Sequence, residues 1–94
     1  MSAAAATAGA KAGASSGRDL LLAIDQQTTV TRAFVYQADG TVLAEADKPL
    51  RLLYSGPGRI EFDPADLWAD VLAVSRAAVA QARAGAADLA AIGI

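Results

Sequence analysis

Apolar and polar positions divide the chain into strands first and a helix second. "LLLAI", Leu20 to Ile24, is a continuous apolar run that ends at Asp25. Such a run suits a strand buried on both faces. "VTRAFVYQ" follows, with Phe34 and Tyr36 on one face and Val35 on the other, in a composition rich in β-branched and aromatic residues. "ADGT", residues 38–41, is a hairpin signal, because Asp-Gly tolerates positive φ. "VLAEADKPLRLL" predicts a third strand, in which Glu45 and Asp47 alternate with small apolar residues and mark a wet face. Pro49 ends or bends that strand, since it has no N–H for a ladder. "YSGPGRIEF", residues 54–62, is expected to be a loop punctuated by Gly56, Pro57 and Gly58.

The period then changes to that of a helix. In "DPADLWADVLAVSRAAVAQARAG" Asp63 is the expected N-cap, with Pro64 at the first helical position. Asp66 places a negative charge in the first turn, where the helix dipole favours it. Leu67, Trp68, Val71, Leu72, Ser75, Ala78, Val79 and Ala82 form an apolar stripe, with Asp70, Arg76, Ala80 and Arg83 largely outside it. Trp68 is expected to pack the helix onto the sheet, and Gly85 to take the C′ position. "ADLAAIGI" predicts a fourth strand from about Leu89, able to return parallel to the first by a crossover. The plan is an incomplete α/β one in β-β-β-α-β order.

Composition narrows the chemistry. Of 94 residues, 54% are hydrophobic and 19% charged, enough for one small domain at most. Residues 1–18, "MSAAAATAGAKAGASSGR", are rich in Ala, Gly and Ser, lack the bulky core of a secretory signal, and are expected to be a disordered tail. Residues 19–94 are left to build structure. A net charge of −2 gives no basic footprint for nucleic acid. No apolar stretch approaches the roughly 20 residues of a membrane span. Cysteine is absent, which removes disulfides and thiolate sites and fits a cytoplasmic location. Histidine is absent too, so any chemistry rests on Asp, Glu, Thr, Ser, Tyr, Lys or Arg.

"AIDQQTTVTRAF", residues 23–34, is the segment with candidate chemistry. Turn N–H groups and Thr hydroxyls can donate to phosphate oxygens. Asp25 could hold Mg²⁺ through water, and Arg32 could neutralise charge on a transferring phosphoryl group. On spacing alone the better-supported reading is an Asx-type turn, with Asp25 bonding local N–H groups and the threonines supplying β propensity.

"LLLAIDQQTTVTRAFVYQADGTVLAEA" resembles the start of an FGGY carbohydrate kinase, and within that family is similar to the glycerol kinases, whose first loop runs Asp-Gln-Gly-Thr-Thr-Ser-Ser-Arg. "GPGRIEFDPADLW" resembles the family's Pro-Gly-Trp-Val-Glu-His-Asp-Pro…Trp segment, and "DLAAIGI" the strand leading to its Thr-Asn-Gln-Arg-Glu stretch. The resemblance implies a ribonuclease-H-like fold of the actin/hexokinase ATPase type, and transfer of the ATP γ-phosphoryl group, with Mg²⁺, to a polyol hydroxyl, glycerol in this subgroup. It implies that Asp25 organises metal and phosphates, that Thr28, Thr29 and Arg32 contact phosphates, and that Glu61, Asp63 and Pro64 are structural.

Three positions depart from the family pattern. Gln27 stands for a glycine that lets backbone approach phosphate and tolerates unusual φ. Val30 stands for a serine, although Thr31 keeps a hydroxyl at the next position. Arg59 stands for a tryptophan. The family's acceptor-binding Arg-Glu pair corresponds to positions just past Ile94, and its general base lies further on. No catalytic residue is therefore expected within these 94 residues, and the chain alone is expected to be inactive. The alternatives are a non-catalytic remnant or a small interaction module that pairs an exposed strand with a partner.

Overall fold

A computed structural model describes residues 18–94. The expected disordered tail, apart from Arg18, lies outside the described residues. The structure is α/β, as the patterning requires. Strands β1 (Leu20–Gln26), β2 (Val30–Tyr36), β3 (Val42–Pro49) and β6 (Leu89–Gly93) form one sheet in the order β3-β2-β1-β6. β1, β2 and β3 make an antiparallel meander, and β6 lies parallel to β1 after the helix α1 (Pro64–Gln81).

"YSGPGRIEF" is more ordered than a loop. It contributes most of a two-stranded ribbon, β4 (Leu53–Gly56) and β5 (Arg59–Glu61), added to the expected element order. The Gly56–Gly58 stretch supplies the turn, with Gly58 at φ +72. The Ser55 hydroxyl reaches Glu61 Oε1 at 3.4 Å across the ribbon.

The core lies between α1 and one face of the sheet. Leu20, Leu22, Ala33, Val35 and Ala44 meet Val74, Ala78 and Ala82. Leu21 and Ala23 are buried as well, on the opposite face, beside their register partners Tyr36 and Phe34. β1 is thus covered on both sides, which accounts for its unbroken apolar sequence.

The helix begins as expected. Asp63 caps it, accepting from the Ala65 N–H at 2.9 Å, and Pro64 follows. Its buried line is rotated from the expected stripe. Asp70, Val74, Ala78 and Ala82, spaced by four, face the sheet. Trp68 does not pack the helix onto the sheet, being 63% exposed. The apolar arc is broader than one contact can cover, and the smaller residues occupy the line of closest approach. A charged residue can join that line because Lys48 Nζ lies 3.0 Å from Asp70 Oδ1.

The helix ends before Gly85. Arg83, at φ 54, takes the left-handed C′ position. The Arg83 N–H donates to Ala80 O and the Ala84 N–H to Val79 O, the two bonds of a Schellman closure. Arg18 joins this corner, its guanidinium donating to Ala82 O and its N–H to Asp88 Oδ1. The Gly85 N–H donates to Asp88 Oδ2, and these backbone donors from Arg18 and Gly85 hold the Asp88 carboxyl below its ordinary range. No helix among the described residues is long and apolar enough to cross a membrane.

Candidate functional site

The site is built where β1 turns into β2. The ladder continues to Gln26 opposite Thr31. The Gln27 N–H then donates to Val30 O at 2.9 Å, leaving Thr28 and Thr29 at the tip. The end of β3 holds this tip from below, because the N–H of buried Leu50 donates to Thr29 O at 2.9 Å. The N–H groups and hydroxyls of Thr28 and Thr29 have no hydrogen-bond partner among the described residues.

Strand alternation sorts the neighbouring side chains by face. Asp25, Arg32 and Asp47 are successive cross-strand partners on the face away from α1. Arg32 Nε lies 4.0 Å from Asp47 Oδ2 and makes no hydrogen bond although that atom is buried. The Tyr36 phenol shares this face. Burial first, then the negative charges of Glu45 and Asp25, push its pKa above the ordinary value.

The sequence-identified residues therefore converge. Asp25 and Arg32 face each other across the β1–β2 ladder, and the exposed Thr28 and Thr29 sit at the turn that joins their strands. Asp25 makes no Asx-turn bond to backbone. Its Oδ2 instead accepts from the Gln27 side-chain amide at 3.0 Å. Gln27 is not at positive φ, so the backbone is unstrained there without glycine. Its effect is exerted by the side chain, which occupies one oxygen of the candidate metal-organising carboxylate.

Thr31 does not offer its hydroxyl to the same face. It is fully buried (0% exposed) on the α1 side and donates to Gln26 Oε1 at 2.9 Å. Gln26 Nε2 donates to Gln27 O at 2.9 Å. Lys48, the register partner of Thr31, pairs with Asp70. Patterning alone missed this polar layer. The signal available was alternation, which puts Gln26, Thr31 and Lys48 on one face once the register is known.

The donor set limits how a cation could be held. Among the described residues no three acidic side chains cluster as metal ligands. One carboxylate with one oxygen engaged fits an ion that keeps its waters and takes its other ligands from phosphate, as Mg²⁺ does. It does not fit a protein cage.

Residues 20–94 match the family model "FGGY family of carbohydrate kinases, N-terminal domain". The chain is 46% identical over 76 residues to a glycerol kinase of Ralstonia nicotianae, which covers 81% of this chain. It is 49% identical over 74 residues to one of Trichlorobacter lovleyi and 45% identical over 74 residues to one of Rhodopseudomonas palustris, each covering 79% of this chain. The chain spans only 15% of the length of these relatives. It belongs to the FGGY family of carbohydrate kinases, whose N-terminal domain it matches over residues 20–94.

Proposed function

We propose that residues 19–94 are the phosphate-binding start of an ATP-dependent polyol kinase, with glycerol as the acceptor. The observation that carries this reading is the unpaired tip. Four donors of Thr28 and Thr29 stand free at the turn joining the strands of Asp25 and Arg32. In this reading the Thr28 and Thr29 donors and the Arg32 guanidinium bind nucleotide phosphates. Asp25 orients the water shell of Mg²⁺ through its free oxygen. The metal, when bound, neutralises charge on the transferring phosphoryl group.

This chain would supply binding and orientation only. Phosphoryl transfer needs an acceptor site and a proton acceptor positioned together with the phosphate, and in this reading both belong to parts of the kinase outside these 94 residues. The purified 94-residue chain is expected to release no ADP above background in a coupled assay with glycerol and Mg-ATP. Glycerol-dependent turnover would overturn that part of the reading. In a full-length context the kinase works in the cytoplasm, where ATP and polyols are available, and Gln27→Gly should raise activity by freeing Asp25 Oδ2. Unchanged or lower activity would remove the role given to Asp25.

A second reading has one observation in its favour. The Gln27 amide already engages Asp25 Oδ2, as it would in a remnant with no ion to organise. The two readings separate by calorimetry on the full-length protein. Mg²⁺-dependent ATP binding that weakens on Asp25→Asn supports the kinase. Binding indifferent to both supports the remnant.

A further inference from the structure

The polar layer beneath the tip has no part in the phosphate contacts just described, yet one of its bonds reaches the turn itself. Gln26 Oε1 accepts from Thr31 at 2.9 Å, and Gln26 Nε2 donates to the Gln27 carbonyl at 2.9 Å. Thr31 is fully buried and lies between β1 and β3 in the α1-facing layer. The Gln26 side chain is thereby anchored at one end in the core and at the other on the loop backbone.

A trans peptide points its C=O and its N–H in opposite directions. The carbonyl of the Gln27–Thr28 peptide is drawn toward the α1 side of the sheet. The N–H of that same peptide, Thr28 N–H, is then turned toward the face of Asp25 and Arg32. We propose that Gln26 is a positioning residue that aims the Thr28 N–H at an anion on the Asp25–Arg32 face, using the buried Thr31 hydroxyl as its anchor. The inference rests on the phosphate-loop reading for the identity of the anion, but not for the orientation of the peptide.

Two features of the turn make such a device necessary. The Gln27 N–H is already bonded to Val30 O and cannot serve an anion. The Thr29 carbonyl is fixed by Leu50, whereas the Gln27–Thr28 peptide has the bond from the Gln26 amide as its one hydrogen bond among the described residues and can rotate if Gln26 lets go. An amide is the side chain that suits the task, because it accepts from Thr31 and donates to a carbonyl at the same time.

The test uses the ¹⁵N-labelled chain and three readouts. Gln26→Met keeps length and neutrality but makes neither bond. Gln26→Glu, ionised at pH 7, still accepts from Thr31 but cannot donate to the Gln27 carbonyl. In both variants the Thr28 N–H order parameter should fall from about 0.85 to below about 0.6, and its residual dipolar coupling should change, while Ala33 and Val35 stay as in the unchanged chain. A Gln26→Glu chain whose Thr28 behaves as before would overturn the proposal, since only the anchoring bond would then matter. If a variant fails to fold, the unchanged chain decides. A through-bond coupling between the Gln26 side-chain amide and the Gln27 carbonyl supports the proposal, and its absence sinks it.

Inorganic triphosphate with Mg²⁺ is the anion probe. Its affinity should drop at least about fivefold in Gln26→Met, and equal affinity for an aimed and an unaimed Thr28 would overturn the proposed role. No triphosphate binding by the unchanged chain, together with the Thr28 response, would remove the phosphate reading and leave the positioning of the peptide supported.

Discussion

Strand β2 carries a turn at each end, and the two are built on opposite plans. The β2–β3 turn closes on itself. The Gln37 N–H donates to Thr41 O, the Gly40 N–H to Gln37 O, and the Thr41 N–H to Asp39 Oδ1, all within 2.9 Å. Gly40, at φ +91, supplies the conformation this pattern needs. The β1–β2 turn spends its side chains differently. Gln27 bonds Asp25, Gln26 bonds Thr31 and the Gln27 carbonyl, and the donors of Thr28 and Thr29 are left over. A turn closed by bonds among its own residues serves to connect strands. A turn held by its flanks, with donors to spare, can also bind.

Removing the support under the first turn should have the largest effect on stability. Asp70 has only 7% of its side chain exposed, against 55% for Lys48. The two partners should therefore be unequal on removal. Lys48→Met strands a buried carboxylate and should cost about 2–3 kcal/mol, whereas Asp70→Leu removes the desolvated charge and should cost under about 1 kcal/mol. Chemical denaturation of both variants measures this. Equal losses would mean that the pair is not organised around a buried Asp70.

The second turn should break through its backbone alone. A Cβ at Gly40 meets nothing within 4 Å, so Gly40→Ala carries no clash and only the penalty of positive φ. That penalty is about 1–2 kcal/mol. Thermal unfolding should show the loss while the Thr28 and Thr29 amide shifts stay fixed. A shift at the distant tip would mean that the two turns are not independent.

Acid offers a gentler contrast. The Asp39 carboxyl is held below its ordinary value, chiefly by the Thr41 N–H and then by the Thr41 side chain. A depressed carboxylate contributes stability that is present above its unfolded pKa and lost as pH falls through its folded one. The Thr41 amide should therefore exchange faster, relative to its intrinsic rate, as pH falls below about 3.9, and Asp39→Asn should remove most of that dependence. An Asn variant with the same acid response would assign it elsewhere.

The sequence revealed these turns unequally. "ADGT" announces its own turn, because Asp-Gly is a local signal of local geometry. β1 was legible from its apolar run and α1 from Asp63 and Pro64, again local chemistry. Asp25, Thr28, Thr29 and Arg32 were legible as a group through family resemblance, and the ladder brings them to one end of the sheet. What stayed hidden depended on partners distant in sequence. Asp70 looked solvent-facing until Lys48 was found beside it, and Arg83 was masked by the more obvious Gly85. Trp68 looked like core because an apolar stripe records which residues can be buried, not which line meets the sheet. Thr31 read as a spare phosphate donor because its face depends on the register of the hairpin. Gln27 read as a backbone problem, whereas its φ is ordinary and its amide is what reaches Asp25.

The smallest expected change in stability is the sharpest probe of the difference between the turns. Thr28→Ala combined with Thr29→Ala removes two hydroxyls that make no hydrogen bond among the described residues. Surface changes of this kind usually stay within about 0.5 kcal/mol, so the unfolding midpoint should hardly move. Phosphate binding by the full-length protein should nevertheless weaken by about tenfold or more, because each hydroxyl contributes a hydrogen bond to a charged acceptor. A loss of stability would mean that the hydroxyls serve the fold, which would make the first turn a connector like the second. Unchanged stability with unchanged phosphate affinity would leave the free donors without a ligand. Only unchanged stability with weakened binding fits a turn kept unsatisfied for something outside the chain.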